Sequence, residues 1–304
     1  MLIAHTTPAK SAANFLLVLV AFGLVCGGAH AAIMPGAPSS AWTFDDDNAD
    51  DLFGSVDGTA NGNPTFSSTD VPLAYTGNKS AVFDGDDYFG STGFGADDYN
   101  FEATDSFSVA FWIKASNSVS DVAVGKMDHN PDGSNNDDDD YRGWYVRASG
   151  GVISVLLRED WNGNGNTSNI IRTDTQNIVV DGDWTHILAT YDGSEDPTGI
   201  AIYVDGVAAN LLTAEGNEWA DDDNHEITTS RPFGIASRNG AIAHAALEGS
   251  LDEVAIWDGS ILTEDNSAWL YENSVKGIPE PGSALLLVLG GLALTRRRFA
   301  ARHR

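Results

Sequence analysis

The densest set of metal-seeking side chains in the chain runs from Asp128 to Asp140. Asp128, Asn130 and Asp132 alternate, Gly133 follows, Ser134 offers a carbonyl, and Asp139 stands where a twelfth-position carboxylate closes a calcium loop. Alternate side chains turn their oxygens toward one centre, while glycine allows the sharp bend. This spacing predicts a weak calcium site of the kind filled outside cells. Three departures keep a second reading open. Asp139 is not glutamate, Pro131 stiffens the loop, and no flanking helix is expected. The alternative is a solvated acidic loop whose like charges repel. Two tryptophans also sit in polar loops, Trp161 in DWNGNGN and Trp219 in NEWAD. An indole in such a place stacks on a sugar face while Asn and Asp bond its hydroxyls, or it pins its own loop to the fold. Trp161 and Trp219 are therefore the candidate ligand-binding residues.

Catalytic spacing is harder to find. Glycoside hydrolysis needs two carboxyl groups flanking the scissile bond. Glu248 to Glu253 (EGSLDE) comes nearest to a clustered set, with the wrong spacing. There is no G-x-S-x-G elbow. His129, His186, His225 and His244 are scattered, without zinc-ligand spacing. The expectation is a protein without enzymatic activity. A hydrolase or lyase whose carboxylates meet only on folding is the alternative.

Charge narrows the partners. The 304 residues hold 16 basic and 44 acidic side chains, a formal net charge of −28. Phosphate backbones and anionic membrane surfaces require the opposite sign, so nucleic acid is excluded as an expected partner. An acidic surface suits a solvated extracellular protein and divalent cations. The single cysteine, Cys26, lies in an apolar N-terminal run. If that run is removed, disulfides, thiolate metal sites and cysteine nucleophiles are excluded together.

Both ends read as processing signals rather than fold. Lys10, the apolar run Phe15 to Val25 and Ala29-His30-Ala31 form a signal peptide over residues 1–31, cut after Ala31. A bulky Val25 before Cys26 argues against lipidation. At the other end Pro279-Glu280-Pro281 precedes an apolar span over 283–295 and the cluster Arg296-Arg297-Arg298. A short apolar span followed by arginines is a stop-transfer pattern with the basic end left inside. In that three-part order, residues 278–304 resemble a PEP-CTERM sorting signal. The resemblance implies transient anchoring in the inner membrane, processing at Pro279, Glu280 and Pro281 by an exosortase, and a final place at the cell envelope, outer surface or extracellular matrix. Without the two ends the net charge is roughly −33, far outside the usual range for small soluble domains.

What must position these residues is a set of strands. Phe107, Val109, Phe111 and Ile113 alternate with Ser108, Ala110 and Trp112. Trp144 to Arg147 and Val152 to Arg158 flank Gly150-Gly151 as a hairpin, and Asp205-Gly206 supplies a second two-residue turn. Helical periodicity is nearly absent, except after Thr263, a helix N-cap followed by Glu264 and Asp265. Trp112, Trp184 and Trp257 fall in strands and are expected in the core. Many short strands with Gly- and Asp-rich turns predict a sandwich or barrel.

Five segments in order, SAVFDGDDY (80–88), FSVAFWIK (107–114), DWTHILATYDG (183–193), IYVDG (202–206) and LDEVAIW (251–257), resemble laminin-G-like, concanavalin A-like domains. The resemblance spans residues 41–277 and implies an all-β, two-sheet antiparallel jelly-roll sandwich. It also implies a structural cation near the sandwich edge, for which Asp45 and Asp252 are the candidates. Recognition of a glycan or matrix polysaccharide is the function it suggests. A structural coat protein without a specific ligand is the alternative, since one fold hosts many functions.

Overall fold

The alternation around Phe111 becomes a nine-residue strand, Phe107–Ala115, whose phenylalanines face the space between two sheets. The computed structural model describes residues 32–90, 95, 97–128, 141–159, 170–213, 225–241 and 245–280. Along the chain the strands are β1 (Ser40–Trp42), β2 (Thr59–Asn61), β3 (Thr65–Ser67), β4 (Ser80–Asp84) and β5 (Tyr88–Gly90). Next come β6 (Phe107–Ala115), β7 (Ser120–Met127), β8 (Gly143–Ser149), β9 (Val152–Arg158) and β10 (Ile170–Thr175). Then follow β11 (Thr185–Tyr191), β12 (Ile200–Val204), β13 (Val207–Ala208), β14 (Leu211–Thr213), β15 (Gly234–Ile235) and β16 (Glu248–Asp258). The α-helix among the described residues, α1, is Glu264–Glu272.

Two antiparallel sheets result. The first has the order β13-β12-β11-β6-β16-β4-β3, with β1 also on β16; the second runs β14-β10-β9-β8-β7-β15-β5-β2. This is the expected jelly-roll sandwich. Between the sheets lie Trp42, Phe44, Phe89, Phe107, Phe111 and Trp144, all buried. The outer face of the first sheet is covered by a second apolar cluster, in which Ala110, Leu188 and Trp257 meet Leu262 and Leu270. That cover explains why β6 is buried on both faces. Helix α1 starts as the sequence suggests: Thr263 caps it in a reciprocal capping box with Asn266. The glycine turns also form as expected. Gly150 and Gly151 have φ of 61° and 77°, and Asp205 and Gly206 have φ of 49° and 82°, the positive values that a tight hairpin matching strand twist requires.

One tryptophan is misplaced by the sequence reading. Trp184 immediately precedes β11, outside any strand, and is only half-buried, with its indole Nε1 donating to Asp70 Oδ1 at 2.9 Å. The alternation that begins at Thr185 does not extend back through it. Trp112 and Trp257 are buried, but on the covered outer face rather than between the sheets. Trp112 packs against Tyr271 of α1 at 5.4 Å and against His186 at 5.2 Å. Burial there holds His186 neutral, its pKa pushed down to about 3.

Strand β16 sets up the site. One of its edges pairs with β4 through Glu248 to Leu251 and then with β1 through Val254 to Ile256. Asp252 and Glu253 fall between the two partners, where the register with β6 also slips. Glu253 takes φ of 52°, a left-handed conformation that costs energy for a side-chain-bearing residue. The bulge turns an acidic pair into the gap between β1 and β4. No helix among the described residues is long and apolar enough to cross a membrane. The signal peptide, the apolar span 283–295, Ala31 and Pro281 lie outside the described residues.

Candidate functional site: a buried carboxylate cage beside an aromatic groove

The chain leaving β1 and the chain entering β4 close over the bulge. Asp45 comes three residues after β1, and Asn78 two residues before β4. Backbone N–H of Lys79 donates to Asp45 Oδ1 at 2.8 Å, which ties the two segments together. Tyr75 reaches in from the same loop, and its hydroxyl donates to Glu253 Oε1 at 2.6 Å. From beyond α1, Ser274 Oγ donates to the same oxygen and Val275 N to Oε2, each at 2.7 Å. Lys276 pairs with Asp45 Oδ2. Segments far apart in sequence thus converge on two consecutive acids.

The electrostatics are one-sided. Three carboxylates, from Asp45, Asp252 and Glu253, face one ammonium group. Asp252 is fully buried, and burial, with Glu253 and Asp45 nearby, pushes its carboxyl up to about 9. Burial likewise raises Glu253, against the lowering pull of its bonds from Tyr75, Ser274 and Val275. Tyr75 is raised too, by burial and by Glu253. Two buried oxygens of this cage have no hydrogen-bond partner: Asp252 Oδ2 and Asn78 Oδ1. Asn78 is oriented by its amide donating to the Leu73 carbonyl at 2.6 Å, so its own oxygen is left over. Unsatisfied buried oxygens are costly. Oxygen-only donors, several of them anionic, are the set that a hard cation such as calcium requires. Asp45, Asn78, Asp252 and Glu253 would hold it, and it would supply the missing positive charge. The implied candidates Asp45 and Asp252 do come together, joined by Asn78 and Glu253, which the sequence reading did not select. The available signal was an adjacent Asp-Glu pair inside an otherwise apolar strand.

Beside this cage is a groove of about 400 Å³. Tyr75 and Trp269 supply aromatic surface, and Glu272, Asn273, Ser274 and Lys276 a polar rim. The indole is half-buried, and the backbone passes it closely at Gly277, where a Cβ would stand 3.3 Å from the ring. The ammonium of Lys276 lies 6.0 Å from the Tyr75 ring centre while pairing with Asp45, so groove and cage share Tyr75, Ser274 and Lys276.

The other candidates are placed differently. Asp128 Oδ1 accepts from Arg231 Nε at 2.6 Å, so a guanidinium faces this carboxylate. Asn130, Asp132, Ser134 and Asp139 lie outside the described residues, as do Trp161 and Trp219. Pro279 and Glu280 are exposed, directly after the buried Ile278. A further acidic group, Asp84, Asp86 and Asp87, has carboxylate oxygens within 4.8 Å of one another. Asp87 there accepts from the Asn63 backbone, which accounts for the buried member.

Several solved structures are similar to the chain. The binding domain of botulinum neurotoxin serotype G aligns with a TM-score of 0.50 at 13% identity, over 77% of this chain and 50% of that one. The binding domain of a paraclostridial mosquitocidal protein gives 0.49 at 14%, over 77% and 52%. Domain 4 of an extracellular arabinanase from Geobacillus stearothermophilus, solved with arabinotriose, gives 0.44 at 16%, over 78% and 98%. The chain thus spans about half the length of the toxin binding domains. No curated protein matches it. Residues 83–265, more than half the sequence and including Asp252 and Glu253, match a laminin-G-like family, and the chain belongs to the concanavalin A-like lectin/glucanases superfamily.

Proposed function

We propose that this chain is an exported, envelope-sorted binding module that recognises a glycan without cutting it. The observation that carries this reading is the Tyr75–Trp269 groove, with aromatic faces, a hydrogen-bonding rim and a carboxylate cage beneath. Sugars present apolar C–H faces and hydroxyl edges, and such a groove offers a partner for each. Calcium in the cage would fix Tyr75 and the segment after α1, and so the groove's shape. The carboxylates themselves are ill placed for hydrolysis. Asp252 and Glu253 are buried, and Glu253 is already the acceptor of three hydrogen bonds. A glycosidase pair must flank its substrate.

Affinity electrophoresis through a panel of neutral and acidic polysaccharides tests the reading. At least one should retard the protein, and Trp269→Ala should reduce that retardation about ten-fold, in line with loss of one stacking partner. Retardation by none, or equal retardation of the variant, would count against the groove. Sorting has its own test. The exported protein from its host should end near Pro281, and a C-terminal peptide containing Arg304 on it would refute processing.

A further inference from the structure

Lys276 stands on the boundary between cage and groove. Its backbone is fixed in a short turn, Val275–Gly277, where Val275 N donates to Glu253 Oε2 and Lys276 N to Ser274 Oγ. Its side chain is freer. It is 40% exposed and lines the groove, and its ammonium pairs with Asp45 Oδ2. The Asp45 carboxylate is buried, only 5% exposed. Its Oδ1 already accepts from Lys79 N at 2.8 Å. The Tyr75 hydroxyl lies 3.2 Å from Oδ2, but its one proton goes to Glu253 at 2.6 Å. Lys276 is therefore what neutralises Asp45, and it does so from the groove side.

We infer that Lys276 is a tethered counterion: a divalent cation in the cage displaces its ammonium from Asp45 into the Tyr75–Trp269 groove, where it donates to the hydroxyls of a bound glycan. The inference rests on the glycan-binding reading and adds a regulation to it, recognition that depends on calcium. Charge drives the displacement. A dication held by Asp45, Asp252 and Glu253 gives Asp45 the positive charge that Lys276 now supplies. It also repels that ammonium at short range, where burial leaves little water to screen the two. The ammonium has a place to go. Four methylenes let it swing about a fixed Cα, and the groove offers the Tyr75 face, 6.0 Å from its present position, with Glu272 and Asn273 on the rim. Glu272 and Asn273 are exposed, so an ammonium beside them stays in reach of a ligand. An ammonium carries three donors and no acceptor, which suits the hydroxyl and ring oxygens of a sugar. Coupling of this kind is reciprocal: the factor by which calcium strengthens glycan binding is the factor by which glycan strengthens calcium binding.

The test is acylation of lysine amines in the purified protein with an N-hydroxysuccinimide acetate, read by peptide mass, in calcium and in chelator at the same pH. Lys276 should label about three-fold faster or more in calcium, because the freed ammonium is the more accessible population. Lys114, whose ammonium bonds both oxygens of Asp70 at 2.9 Å, should label equally in the two. Lys276→Met removes the competitor and should lower the calcium concentration for half-maximal stabilisation by about five-fold or more. Neither measurement contains a polysaccharide, so both stand apart from the glycan reading. In affinity electrophoresis, calcium should then strengthen retardation by about five-fold or more in the parent and by less than about two-fold in Lys276→Met. Lys276→Gln repeats the comparison should the methionine variant fold poorly. Lys276 labelling that calcium leaves unchanged or slows would overturn the inference. So would an unaltered calcium midpoint in the variants, or equal strengthening of retardation in parent and variants. Faster labelling of Lys276 without retardation by any polysaccharide would sink the glycan reading and leave the displacement standing.

Discussion

Added calcium is expected to raise the melting temperature of chelated protein by roughly 5–10 °C, the shift that about 2.7 kcal/mol of mass action gives a domain of this size at a hundred-fold excess over Kd. The cause is the cage. Asp252 Oδ2 and Asn78 Oδ1 lack partners, and three carboxylates share one lysine. Asp252→Asn should remove most of the calcium response, because it deletes a ligand charge with little change of shape. Asp128→Asn should leave the response intact, since Asp128 is engaged by Arg231. Magnesium should substitute poorly, as it demands tight octahedral geometry.

The same response has a pH signature. Without a cation, folded Asp252 keeps its proton up to about 9, whereas the unfolded chain releases it near the ordinary carboxylate value. The folded state then binds more protons, so the stability contributed by this group is complete below about pH 4 and falls as pH rises toward 9. Calcium must displace that proton, so the calcium increment should grow with pH over the same window. A full calcium response in Asp252→Asn would move the cation elsewhere.

Trp144→Ala is expected to cost about 3–5 kcal/mol, the range for deleting a fully buried large side chain. Trp144 is buried among Phe101, Phe107 and Phe233, at ring separations of 5.4, 5.1 and 6.0 Å, and its Nε1 donates to the Tyr99 carbonyl. Removing it opens a cavity between the sheets and orphans a buried carbonyl. Trp184→Ala should cost much less, roughly 1–2 kcal/mol, from one hydrogen bond to Asp70 and partial burial. Urea denaturation with equal m-values in both variants checks the pair. Similar midpoints for the two would mean that Trp184 packs as a core residue after all.

The contrast between these tryptophans shows what the sequence made legible. Period-2 alternation located β6, the double glycine located the β8–β9 hairpin, and Thr263 located the helix start, because each is local chemistry. Trp184 misled because it adjoins an alternating run without belonging to it. The cage was half legible. Asp45 and Asp252 came from resemblance to the family, but Tyr75 and Glu253 are 178 residues apart, and a bulge carries no periodic signal.

Hydrogen exchange with and without a retained polysaccharide tests the binding reading most directly. Protection should appear at residues 73–79 and 269–278, which build the groove and the cage, while β11 and β12 of the first sheet exchange as before. A polysaccharide that binds yet protects neither segment would contradict the groove as the recognition site.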